Sequence, residues 1–70
     1  MNTFDLIQID DYINTYKKRL KSLKQTVESE EFKNHYIKYS EQTYKQQYDY
    51  VQGKMYELNK VISDLEELLK

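Results

Sequence analysis

Residues 31–58 read EFKNHYIKYSEQTYKQQYDYVQGKMYEL and hold six of the eight tyrosines in a chain of 70 residues. Whether this stretch is one helix or more decides the fold. It contains the chain's only glycine, Gly53, and no proline, and nothing in it alternates apolar and polar residues as a half-buried strand does. Apolar positions recur at Ile37, Tyr44, Tyr48, Val51, Met55, Leu58, Ile62, Leu65 and Leu69 and pass through Gly53 in phase. A glycine inside a helix costs about 1 kcal/mol relative to alanine, but a chain turn there would reset the phase. The spacing therefore predicts one long helix over residues 30–69. The competing reading takes Gly53 as a helix C-cap and gives a monomeric three-helix bundle with its break there.

Upstream, Leu6, Ile9, Ile13, Tyr16, Leu20, Leu23 and Val27 are spaced alternately three and four residues apart, the seam pattern of a coiled coil. They predict a first helix over residues 4–27. Its charges suit the helix dipole, with Asp5, Asp10 and Asp11 early and Lys17, Lys18, Arg19, Lys21 and Lys24 late. Beyond Val27 the same register would put Glu30 and Asn34 in the core. Ser29 followed by two glutamates reads instead as a new helix start, so the turn is placed at residues 28–30. The fold class expected is all-α: an antiparallel helical hairpin with a long second helix, forming a single domain over residues 1–70.

The two helices of that hairpin are unequal. At about 1.5 Å per residue the first is roughly 36 Å long and the second roughly 60 Å. Folding back at residue 29 would leave Met55, Leu58, Val61, Ile62, Leu65, Leu68 and Leu69 uncovered, although each gains about 1.5–3 kcal/mol when fully buried. These seven residues are therefore expected to form a dimer interface, pairing as a coiled coil or completing a four-helix bundle. A chain this short buries only about 60% of its unfolded surface, which adds to the need for a second copy.

The second helix also carries a second apolar face. Phe32, Tyr36, Tyr39 and Tyr50 lie roughly 100° or more from its main stripe, where the first helix cannot reach them. Tyrosine offers contact area while keeping a hydrated hydroxyl, so these four are the candidate anchors for a protein partner, with Lys33, Lys38 and Lys54 as a polar rim. Tyr16, Tyr44 and Tyr48 fall on the seams and are read as core.

Enzymatic chemistry finds little here. With no cysteine and one histidine, His35, neither a thiolate metal site nor a cysteine nucleophile is possible. Asp10/Asp11, Glu30/Glu31 and Glu66/Glu67 are adjacent pairs, and on a helix adjacent side chains diverge by about 100°, too far to share a proton. No catalytic, cofactor, metal or small-molecule site is expected. Formal charge is −1, which argues against a globally basic nucleic-acid binder. Lys17, Lys18, Arg19, Lys21 and Lys24 could still contact phosphates, but they surround Leu20 and Leu23 instead of forming one stripe. No apolar run is long enough for a membrane span. The acidic start MNTFDLIQIDDY lacks the basic and apolar parts of a signal peptide, so a cytoplasmic protein is expected.

Together these features suggest a self-associating interaction protein that occupies a surface of a larger intracellular protein. The residues Lys, Tyr, Gln, Ile and Asn are frequent while proline and alanine are absent. That usage suits an AT-rich genome and an accessory regulator or inhibitor carried by a phage or mobile element. The alternatives are a nucleic-acid binder using the basic half of the first helix, and a structural coiled-coil subunit.

Overall fold

Three short polar side chains mark where the helices start. In the computed structural model, which describes residues 2–70, Asn2 Oδ1 accepts a hydrogen bond from the Asp5 N–H at 2.9 Å. Ser29 Oγ accepts from the Phe32 N–H at 3.1 Å, and Ser40 Oγ from the Thr43 N–H at 2.9 Å. Each cap residue has extended backbone angles, and each satisfies one of the N–H groups that a helix start leaves unpaired. The helices are α1 (Thr3–Val27), α2 (Glu30–Ile37) and α3 (Glu41–Leu68). No strand occurs among the described residues, and the chain is all-helical.

The single second helix expected over 30–69 is two helices. The break falls at Lys38–Ser40, and Gly53, the position of the alternative break, lies well inside α3. Ser40 causes the interruption: its φ of −175° and ψ of 158° are extended, while the Tyr36 carbonyl closes α2 by accepting the N–H groups of Tyr39 at 3.1 Å and Ser40 at 3.4 Å. The apolar spacing passes over this break because Ile37 and Tyr44 are one heptad apart. The seam position between them falls to Ser40 or Glu41.

The point of chain reversal moves as well. At residues 28–29 the chain only kinks: the N–H groups of Glu28 and Ser29 still donate to the carbonyls of Lys24 and Thr26, at 3.1 and 3.2 Å. The reversal comes at 38–40. Phe32 and Tyr44 have ring centroids 6.0 Å apart, whereas one unbroken helix would separate them by about 18 Å along its axis. Farther along, Leu23 and Leu58 share the wall of one groove, and Lys17 Nζ lies 3.9 Å from Glu66 Oε1. Contact partners thus run in opposite order on the two sides, so that α3 lies first along α2 and then along α1.

This shift changes which segment is left uncovered. Because reversal occurs about ten residues later than expected, the carboxy-terminal part of α3 reaches back along α1 and packs there. Ile62, only 6% exposed, joins Ile13, Val27 and Val51 as the buried core. Tyr16, Leu20, Leu23, Tyr44, Met55, Leu58 and Leu65 are half-buried around it. The rod measures 52 × 16 × 12 Å, two helices across and one helix thick, so among the described residues no third layer closes the seam from above or below.

The overhang belongs to α1. With Lys17 beside Glu66 and α3 ending at Leu68, the residues before about Ile13 have nothing of α3 opposite them. The lengths agree, since α3 accounts for about 42 Å of the 52 Å rod. Phe4, Leu6, Ile7 and Tyr12 are accordingly exposed.

Candidate interaction surface

Four aromatic rings form a row where α2 meets the start of α3. Phe32 packs edge-to-face on Tyr36 at 5.0 Å and on Tyr44 at 6.0 Å between centroids, and Tyr44 meets Tyr48 at 6.1 Å. Edge-to-face pairs add roughly 0.5–1.5 kcal/mol beyond area burial. The Ser29 cap starts α2 with Phe32 and Tyr36 one helical turn apart, and the reversal at Ser40 brings Tyr44 back to them. None of these rings is fully buried.

The four residues singled out as partner anchors therefore fall into two kinds. Phe32 and Tyr36 are half-buried in the row just described, holding α2 against α3. Tyr39 and Tyr50 stand 66% and 61% exposed. Lys38 Nζ sits 5.4 Å from the Tyr39 ring centre and Lys54 Nζ 4.9 Å from that of Tyr50, a cation–π arrangement that leaves each ring's other face open. Lys33, the third residue of the expected rim, is exposed. Tyr44 is half-buried as a seam residue, whereas Tyr48 is exposed and extends the aromatic row outward.

His35 belongs to the same end of the rod. Its ring is 4.7 Å from that of Tyr36 and 6.2 Å from that of Tyr39, both edge-on. Among the described residues no three histidines, cysteines or carboxylates gather in a way that could hold a metal ion. A shallow hollow on this side is lined by Ser22, Gln25, Thr26, Phe32, His35 and Tyr36.

The seven residues assigned to a dimer interface divide three ways. Ile62 is buried within the chain, Met55, Leu58 and Leu65 are half-buried, and Val61, Leu68 and Leu69 are exposed. Val61 and Leu58 form, with Leu23, the apolar floor of an open groove of about 700 Å³ between α1 and α3, rimmed by Lys18, Arg19, Lys54 and Glu57.

The basic run is dispersed. Lys17 faces Glu66, Lys18 and Arg19 line the groove, and Arg19 lies 5.6 Å from the centre of the Tyr16 ring. Lys21 and Lys24 are exposed. Of the described helices, none is long and apolar enough to cross a membrane.

Phe4, Ile7 and Tyr12 were not among the expected contact residues. Their exposure follows from the offset between α1 and α3, which the late reversal creates. The signal available in the sequence was Ser40-Glu41, a second serine–glutamate helix start like Ser29-Glu30. Comparison with models of protein families, with curated proteins and with solved structures finds no match to this chain.

Proposed function

We propose that the chain is a small protein–protein interaction module, a helical hairpin that acts by occupying a surface of a larger protein through its α2–α3 end. The observation that carries this reading is the pair of exposed tyrosines, Tyr39 and Tyr50, each capped on one face by a lysine, with Tyr39 next to the His35 ring that packs on Tyr36. Rigid aromatic anchors lose little side-chain entropy when covered, and such residues dominate binding energy at interfaces. Lys38 beside Tyr39 and Lys54 beside Tyr50, with Lys33 exposed on α2, supply charge that would steer encounter with an acidic partner surface.

The mode of action would be steric. Among the described residues, a rod one helix thick offers no water-excluding pocket with fixed polar groups, which catalysis requires. In this reading the module is an accessory regulator or inhibitor, and the partner supplies the missing layer over the aromatic end.

The test is capture with the intact chain and with a Tyr39→Ala/Tyr50→Ala variant. Both side chains are largely solvated, so the variant should keep its helical circular dichroism while losing at least about tenfold in affinity for the captured protein, since anchors of this kind cost 2 kcal/mol or more on truncation. Retention of the same protein at unchanged affinity would contradict the assignment of the surface.

A further inference from the structure

Along its length α1 carries opposite charges on its two halves. Residues 2–16 include three carboxylates and no lysine or arginine, whereas residues 17–24 include five cations and no carboxylate. The same division separates two apolar features. Phe4 and Ile7, 70% and 57% exposed, project from the acidic overhang; the groove floored by Leu23, Leu58 and Val61 opens beside the basic segment. At about 100° per residue, Phe4, Ile7, Asp11, Lys18 and Ser22 lie within an arc of roughly 60° on α1.

We propose that this face binds a second copy of the chain, α1 against α1 in antiparallel order. Setting Asp11 of one copy opposite Lys18 of the second places Ile7 opposite Ser22, at the edge of the groove, and Phe4 opposite Gln25. Ser22 lines both this groove and the hollow that contains Gln25 and Phe32, so the two apolar side chains of the overhang meet the two concave sites of the other copy. The two-fold axis passes between Asn14 and Thr15, and every contact occurs twice, as an isologous interface requires.

Charge selects the orientation. On this side of α1 the charges are Asp10 and Asp11 early and Lys18 and Lys21 late; a parallel pair would set each against its own copy, whereas the antiparallel pair sets Asp11 against Lys18 and brings Asp10 near Lys21, and the two helix dipoles oppose each other. The same arrangement gives the basic run a role that needs no nucleic acid, and it covers Val61. Tyr39 itself lies on the turn at the far end of the rod, beyond this contact, although the contact reaches the hollow lined by Phe32, His35 and Tyr36 and the groove rimmed by Lys54.

The experiment is a charge-reversal cycle in the full-length chain, Asp11→Lys, Lys18→Asp and the two combined, read by sedimentation equilibrium up to about 100 µM with circular dichroism as the folding control. Both substituted positions are exposed. The wild type should dimerise, each single reversal should weaken the dimer by about tenfold or more, and the double reversal should restore it to within about threefold. Ile7→Ser, which carries no charge change, should weaken it as well. A wild-type chain that stays monomeric across the range, single reversals without effect, or a double variant as weak as its parents would overturn the proposal. Loss of dimerisation with Tyr39-dependent capture intact would leave the partner surface standing, and the converse would leave the dimer standing.

Discussion

The α1–α3 seam and the α2–α3 end are built from the same helical spacing but with different side chains, and they reach different degrees of closure. Along the seam, Ile13, Val27, Val51 and Ile62 are buried between two helices of more than twenty residues. At the other end, eight residues of α2 rest on the first turns of α3 through tyrosine and phenylalanine rings, and no residue of α2 is buried. Branched aliphatic side chains fit a narrow seam and exclude water, whereas tyrosine rings can pack edge-on and keep their hydroxyls wet. The first region holds the fold, and the second leaves its rings partly open to solvent.

The largest expected consequence of that contrast is at Ile62. Removing three carbons from a buried isoleucine costs about 2–5 kcal/mol, a large part of the 5–15 kcal/mol available to a typical domain. Ile62→Ala should therefore lose most of the cooperative thermal transition followed by circular dichroism. Tyr39→Ala, at the exposed end, should shift the same transition by no more than about 0.5 kcal/mol. Equal effects at the two sites would erase the distinction between seam and surface.

A smaller effect separates the two serine caps. Each accepts one backbone hydrogen bond, and loss of such a cap costs about 1 kcal/mol. Ser29→Ala acts at a kink where the chain already continues in roughly the same direction. Ser40→Ala acts at the reversal and removes the preference for an extended residue that keeps α2 and α3 apart. Ser40→Ala should accordingly give the greater loss of Phe32 and Tyr44 ring contact, read as collapse of their cross-peaks in NMR, while Ser29→Ala should retain them.

The smallest expected change is a gain. Gly53 sits inside α3 with nothing within 4 Å of the position its Cβ would take, and φ is not positive there. Gly53→Ala should stabilise the helix by about 1 kcal/mol, seen as a rise in Tm of several degrees. A fall in Tm would mean that Gly53 allows a bend which α3 needs.

How much of this was legible depended on which signal carried it. The seam residues Ile13, Val27, Val51 and Ile62 could be picked from spacing alone, because burial on a helix obeys a period that spacing reports directly. Ser29 was legible as a helix start because the first seam failed just before it. Ser40 carries the same serine–glutamate signature, yet the seven-residue step from Ile37 to Tyr44 kept the phase intact across it and hid the break. From that one displacement the rest follows. Moving the reversal from residue 29 to residue 39 slides α3 along α1, buries Ile62 within the chain and exposes Phe4 and Ile7 at the opposite end. Side-chain exposure on a helical pair depends on register, and register is set by where the chain turns. The division of Phe32 and Tyr36 from Tyr39 and Tyr50 was hidden for the same reason, since only the folded turn brings Tyr44 onto Phe32.

The most direct measurement is residue-resolved hydrogen exchange of the backbone amides under native conditions. Amides around Ile13–Val27 and Val51–Ile62 should exchange only through the global unfolding reaction, while those of Glu30–Ile37 and Glu41–Tyr48 should exchange at least about tenfold faster through local opening of the aromatic end. Uniform protection from Glu30 to Ile62 would contradict the account, because it would make the aromatic end as much a part of the core as the seam.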